Sequence, residues 1–153
     1  MATLKPTIIL FPGAFHPASC LEPFTSRLTA AGYPNEAYTL PSVGNREIGV
    51  ADDTAFFVSV MKPHIDAGKD VILIVHSYAG FPGTVSIHGL DKRAREAQGE
   101  AGGVLGIVYL AAFVPFENET VYELLSKKWL WWMTDNVSTK HSALSFMILY
   151  EVY

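Results

Sequence analysis

Six residues, Val75-His76-Ser77-Tyr78-Ala79-Gly80, carry the strongest chemical signal in this chain of 153 residues. A β-branched apolar run, Val71-Ile72-Leu73-Ile74-Val75, precedes the serine, and a stretch able to start a helix follows it. A sharp turn from strand to helix lifts a serine hydroxyl clear of a sheet. There a base can reach the hydroxyl and a backbone N–H can stand beside a reacting carbonyl. A second turn, Phe11-Pro12-Gly13-Ala14-Phe15-His16, follows an earlier apolar run, Thr7-Ile8-Ile9-Leu10-Phe11. Taken alone, Pro-Gly is only a tight turn. Paired with the serine turn, it supplies the second of the two N–H groups that an oxyanion needs. Tyr78, next after the serine, would give one and Ala14 the other. Gly13 lets the backbone approach a substrate, and His16 is placed to line the same pocket.

The remaining titratable residues read more plainly. His76 adjoins Ser77, but neighbours in such a turn point apart, so it reads as a packed residue. His64 and His88 read as surface or helix-end residues, and Asp91 as solvated within a charged connection. Asp52 and Asp53 suit the first turn of a helix, where acidic groups complement the macrodipole, better than they suit a carboxylate pair. Cys20 has no histidine at a recognisable spacing and receives no catalytic role. Trp129, Trp131 and Trp132 have two readings: part of a cap over an acyl pocket, or core left uncovered. No metal and no organic cofactor is implied.

Four apolar strands, near 7–11, 36–40, 71–75 and 104–110, must position these groups. Between them the pattern predicts a helix over 22–31, with Leu21, Phe24, Leu28 and Ala31 on one face. A second helix runs from Asp52 to about Ala67, kinked or divided at Pro63. A short helix follows Ser77, and 89–103 read mainly as a surface connection with a helical turn. Strands this apolar should be buried on both faces. Alternation with helices predicts an α/β fold, a three-layer α/β/α arrangement around a mostly parallel sheet, in spatial order second, first, third, fourth. Reactive groups in such sheets lie beyond the carboxyl ends of the strands, where Ser77 and the Gly13 turn both fall. Beyond Pro115, residues 120–132 read as an amphipathic helix, with Val121, Leu124, Leu125 and Trp129 near one face.

The composition narrows the classes. Half the residues are hydrophobic and 17% are charged, which excludes disorder. A net charge of −4 without a basic block argues against a nucleic-acid partner. No apolar run approaches the roughly 20 residues of a membrane span, and 7–11 is too short for a signal-peptide core. A single cysteine reads as a reduced, cytoplasmic protein. The fourth strand has no later strand to cover its outer edge unless residues 144–150 fold back, so self-association through that edge is expected.

The segments "ILFPGAFHPASCLEPFTSRLTAAGY", "LPSVG", "GKDVILIVHSYAGFPG" and "GGVLGIVYLAAFV", in that order and spacing, resemble the α/β-hydrolase superfamily. They are similar to fungal and bacterial members related to plant methyl-ester esterases and hydroxynitrile lyases. The resemblance covers residues 6 to about 135. It implies the N-terminal portion of an α/β-hydrolase fold over 1–136, a cap-like segment at about 113–135, and an atypical tail at 137–153. It makes Ser77 the nucleophile and Ala14 and Tyr78 the oxyanion donors, acting on a small-molecule carboxylic ester. Three departures stand out. The family's G-x-S-x-G has Val75 and Ala79 in its outer positions here, and its His-Gly turn is Pro12-Gly13. In the family an acid and then a histidine follow the serine, separated by a strand and a helix. Asp135 and His141 are in that order but only six positions apart, which leaves no room for those elements. The resemblance therefore implies a serine hydrolase that lacks the C-terminal part and is weak or inactive as this chain. The alternative is a non-catalytic fragment or pseudoenzyme that binds a ligand or a partner protein.

Overall fold

The computed structural model describes residues 5–116, 120–128, 133–134 and 147–148. The first apolar run becomes β1 (Thr7–Phe11), buried along its whole length. The others become β2 (Asn35–Ala37), β3 (Asp70–His76) and β4 (Gly103–Leu110). All pair in parallel, in the order β2-β1-β3-β4 that right-handed crossovers predict.

Side-chain alternation along the strands builds two cores. Ile9, Phe11, Leu73 and Val75 face α2 (Val50–Asp66), whose buried stripe is Asp53, Phe57, Met61 and Ile65. Phe11 and Phe57 stack with ring centroids 3.6 Å apart. On the opposite face Ile8, Leu10 and Ile74 pack against Leu21 and Leu28, from the 3₁₀ turn Ala18–Leu21 and from α1 (Glu22–Ala30). Helices on both sides of a parallel sheet make the three layers.

Several expectations are corrected in detail. The inner face of the 3₁₀ turn and α1 runs through Leu21, Thr25 and Leu28, while Phe24 and Ala31 are exposed. β2 is shorter and earlier than 36–40, and Leu40 lies beyond it, buried in the core. Pro63 does not divide α2: it stands in the exposed last turn, and buried Met61 and Ile65 on either side keep the helix packed. The connection after residue 89 contains α4 (Lys92–Ala97), and Asp91 is its cap, not a solvated group. The Asp91 carboxylate accepts the Ala94 N–H at 2.9 Å. The helix after Thr120 is one turn only, α5 (Val121–Leu124), and the chain enters positive φ at Ser126 and Lys127. Between Ser77 and α4 lie a 3₁₀ turn, Ser77–Ala79, and α3 (Gly80–Ser86).

β4 is buried on one face only. Ile107 and Tyr109 join the α2-side core, but Val108 and Leu110, in register with Ile74 and His76, are 43% and 40% exposed. A register shift between Val71 and Ile72 leaves Leu105 unpaired, and it is exposed too. Among the described residues no helix covers this end of the α1 face. Met147–Ile148 (β6) does not pair with β4 either. It pairs antiparallel with Met133–Thr134 (β5) in a separate two-stranded sheet. No helix among the described residues is long and apolar enough to cross a membrane.

Candidate functional site

β3 lies between β1 and β4, paired on both sides as far as Val75 and with β4 alone at His76. One residue later the chain reverses into helical geometry, and Ser77 takes φ +53°. A non-glycine residue in this left-handed region costs on the order of 1–3 kcal/mol and persists only where its surroundings hold it. Here they hold it from two directions. The Ser77 carbonyl accepts the N–H of Gly80 and, at 3.0 Å, the N–H of Phe113 from the segment after β4. That segment approaches so closely that a Cβ on Gly80 would lie 2.1 Å from the Phe113 carbonyl oxygen. Gly80 is therefore required by the neighbouring loop, not by the strand beneath the turn. Strand and helix meet instead at Gly83, whose missing side chain leaves room for Val75. This explains how a β-branched residue can occupy the first position of the G-x-S-x-G pattern.

β1 and β3 are in register with Phe11 opposite Val75, so the residues that follow each strand emerge side by side. Gly13 lies directly against Ser77. A Cβ on Gly13 would stand 2.8 Å from Ser77 Cβ and 3.4 Å from Ser77 Oγ. The expected pairing of the two turns at one end of the sheet is thus present. The Gly13 carbonyl accepts the His16 N–H at 3.3 Å, which closes the turn. A peptide is planar and trans, so fixing that carbonyl fixes the opposed N–H of Ala14. The Ala14 N–H makes no hydrogen bond among the described residues. His16 is exposed, with Nδ1 2.9 Å from the Ala14 carbonyl oxygen. It folds back on its own turn. His76 is exposed, not packed within the core, and its Nδ1 borders Gly13. Among the described residues no side chain hydrogen-bonds the Ser77 hydroxyl. Asp135, His141, Trp129, Trp131 and Trp132 lie outside the described residues.

Asp53 is the residue the sequence reading undervalued. Asp52 is the helix-start group: its carboxylate accepts the Gly49 N–H at 3.0 Å. Asp53 turns inward and is fully buried. It accepts the Ser42 N–H at 3.0 Å, the Ser42 hydroxyl at 2.7 Å and the Tyr78 hydroxyl at 3.0 Å. Burial, together with the Asp53 carboxylate, raises the Tyr78 phenol well above the ordinary tyrosine range. A signal was present in the sequence, because Asp53 falls on the same helical stripe as Phe57, Met61 and Ile65. Among the described residues no three His, Cys, Asp or Glu side chains gather as ligands for a metal ion.

Comparison with known proteins agrees with this fold. A sequence profile of the Alpha/beta hydrolase family matches residues 8–147. A probable hydrolase of a Phoma species is 31% identical over 128 residues, covering 81% of this chain and 49% of its own length. Among solved structures, polyneuridine aldehyde esterase superposes with a TM-score of 0.63 at 18% identity, covering 81% of this chain and 47% of that one. Tomato methylketone synthase I superposes with a TM-score of 0.62 at 17% identity, covering 82% and 46%. The chain spans about half the length of the curated relatives it matches.

Proposed function

The chain belongs to the alpha/beta hydrolase family, and from that premise we propose that Ser77 is the nucleophile of a serine hydrolase acting on small carboxylic esters. The observation that carries this reading is the strained Ser77, held at the end of β3 in contact with Gly13. In the proposed reaction the Ser77 oxygen bonds to the ester carbonyl carbon while a base takes its proton. The carbonyl electron pair moves to oxygen, where the N–H groups of Ala14 and Tyr78 stabilise it. The alcohol then leaves, and water releases the acid from the acylated serine. The base is a histidine from outside the described residues, and His141, with Asp135 before it, is the candidate this sequence offers. Without a working base the oxyanion donors and binding still allow a rate roughly 10³–10⁴ over water. Weak turnover is therefore the expectation for this chain. The test is hydrolysis of short-chain aryl esters by the purified protein, beside Ser77→Ala and His141→Ala. Turnover that falls in both Ser77→Ala and His141→Ala toward the residual supplied by the oxyanion donors and binding alone supports the reading, and turnover well above that residual but unchanged in Ser77→Ala overturns it.

A second reading, a non-catalytic protein that binds a partner or a second copy, is favoured by the uncovered apolar side of β4. Light scattering on dilute protein after size exclusion distinguishes a monomer from the association this reading requires. On either reading a reducing, cytoplasmic setting suits the lone, exposed Cys20.

A further inference from the structure

We infer that Asp53 is a positioning residue for the oxyanion site: from α2 it holds the Tyr78 side chain, and so fixes the peptide whose N–H faces the developing charge. The inference rests on the serine-hydrolase reading above and extends it to a residue 24 positions upstream of the nucleophile.

The Ser77–Tyr78 peptide carries both a carbonyl, from Ser77, and the N–H assigned to the oxyanion. In a trans peptide the two point in opposite directions. Phe113 and Gly80 hold the carbonyl, which sets one end of that axis. The peptide can still swing about its flanking bonds unless the Tyr78 Cα is also fixed. The hydrogen bond from the Tyr78 hydroxyl to Asp53 Oδ2, at 3.0 Å, fixes it through the rigid ring. Asp53 is fixed in turn by two donors from Ser42 and by its place on the buried stripe of α2. An ionised carboxylate is costly to bury and is not what an apolar core requires. Its three hydrogen bonds tie the 42 loop, α2 and the residue after the nucleophile into one rigid unit. The Gly13–Ala14 peptide is held differently, by the His16 N–H on the Gly13 carbonyl. The two N–H groups are thus positioned independently, and only one depends on Asp53.

The experiment uses the whole chain and phenylboronic acid, a mimic of the tetrahedral intermediate. Its boron bonds to Ser77 Oγ, and the hydroxyl proton passes to solvent. Amide spectra and affinities are compared for the wild type, Tyr78→Phe, Asp53→Asn and Ser77→Ala. In the wild type the Tyr78 and Ala14 amide protons move downfield on binding, and Ser77→Ala does not bind. Tyr78→Phe keeps the ring and removes only the hydroxyl. It should bind the boronate about tenfold more weakly, less than the roughly 10²–10³-fold of losing an oxyanion donor outright. Its Tyr78-position amide shift should shrink while that of Ala14 persists. Asp53→Asn should act in the same direction, and the double variant should bind no more weakly than the weaker single one. If Asp53→Asn does not fold, Tyr78→Phe alone decides. Wild-type affinity and an unchanged amide shift at position 78 in Tyr78→Phe overturn the inference and leave the serine-hydrolase reading standing. No shift at Tyr78 in the wild type overturns the oxyanion assignment, and this inference with it.

Discussion

Replacing Gly13 with alanine perturbs the site where the two turns touch. The new Cβ would lie 2.8 Å from Ser77 Cβ and 3.2 Å from His76 Nδ1. Carbon atoms pack best at about 3.5–4.0 Å, so the turn or the serine must retreat by about 0.7 Å. Neither side yields easily. The Gly13 turn is closed by His16, and Ser77 is held by Phe113 and Gly80. Overpacking of this kind costs about 1–3 kcal/mol. For a domain of this size each kcal/mol lowers the melting temperature by about 2–4 °C, so the expected drop is about 2–12 °C. A misplacement near 1 Å costs about 10²-fold in rate, so Ser77-dependent hydrolysis of p-nitrophenyl acetate should fall by about 10–100-fold. Gly106→Ala is the control, because nothing lies within 4 Å of its Cβ position and its φ is not in the left-handed region. It should melt at or slightly above the wild-type temperature, by about 0.4–1 kcal/mol of stabilisation. Wild-type melting and wild-type hydrolysis in Gly13→Ala would refute the claim that the two turns are in contact.

Asp53→Ala leaves the Ser42 donors and the Tyr78 hydroxyl without their acceptor and should lower stability by about 2–5 kcal/mol, read from urea unfolding. Tyr78 is held protonated in the fold above the ordinary value of 10.0, so above that pH the unfolded chain loses a proton that the folded chain keeps. Stability therefore falls as pH rises through and beyond about 10. The urea midpoint should decline more steeply between about pH 9 and 11 in the wild type than in Tyr78→Phe, and Tyr38, pushed up to about 12, supplies the slope that remains in the variant. Val108→Lys with Leu110→Glu should reduce association in light scattering and leave the stability within about 0.5 kcal/mol of wild type, because both side chains are already exposed. Equal association in that variant would show that β4 is not the contact surface.

The sheet was legible because its strands are short apolar runs bounded by turn residues, and the βαβ alternation leaves little choice of order. The two turns were legible because register along parallel strands carries Gly13 and Ser77 to the same end. The features that escaped the sequence reading depend on long-range neighbours. Phe24 looked inward by periodicity, but the inner stripe of α1 is Thr25 and Leu28, continuing Leu21 of the preceding turn. Asp91 looked solvated among charges, yet it caps a helix. Nothing in the sequence explains Gly80, which the loop after β4 requires. Asp53 looked like dipole compensation, because propensity cannot show that a tyrosine 25 residues later donates to it. The uncovered side of β4 runs against the rule that apolar parallel strands are buried on both faces, a rule that presumes a helix over Val108 and Leu110.

The proposed function requires that the fold make Ser77 a nucleophile beside a pair of oxyanion donors. Its most direct test is reaction of the chain with an aryl fluorophosphonate, followed by intact mass and peptide mapping. The serine oxygen bonds to phosphorus and fluoride leaves, so each reacted molecule carries one phosphonyl group. A single adduct on Ser77 is expected, formed faster in the folded chain than in the urea-unfolded one and absent in Ser77→Ala. An adduct centred on another residue, or a Ser77 reaction no faster in the folded chain than in the unfolded one, would contradict it.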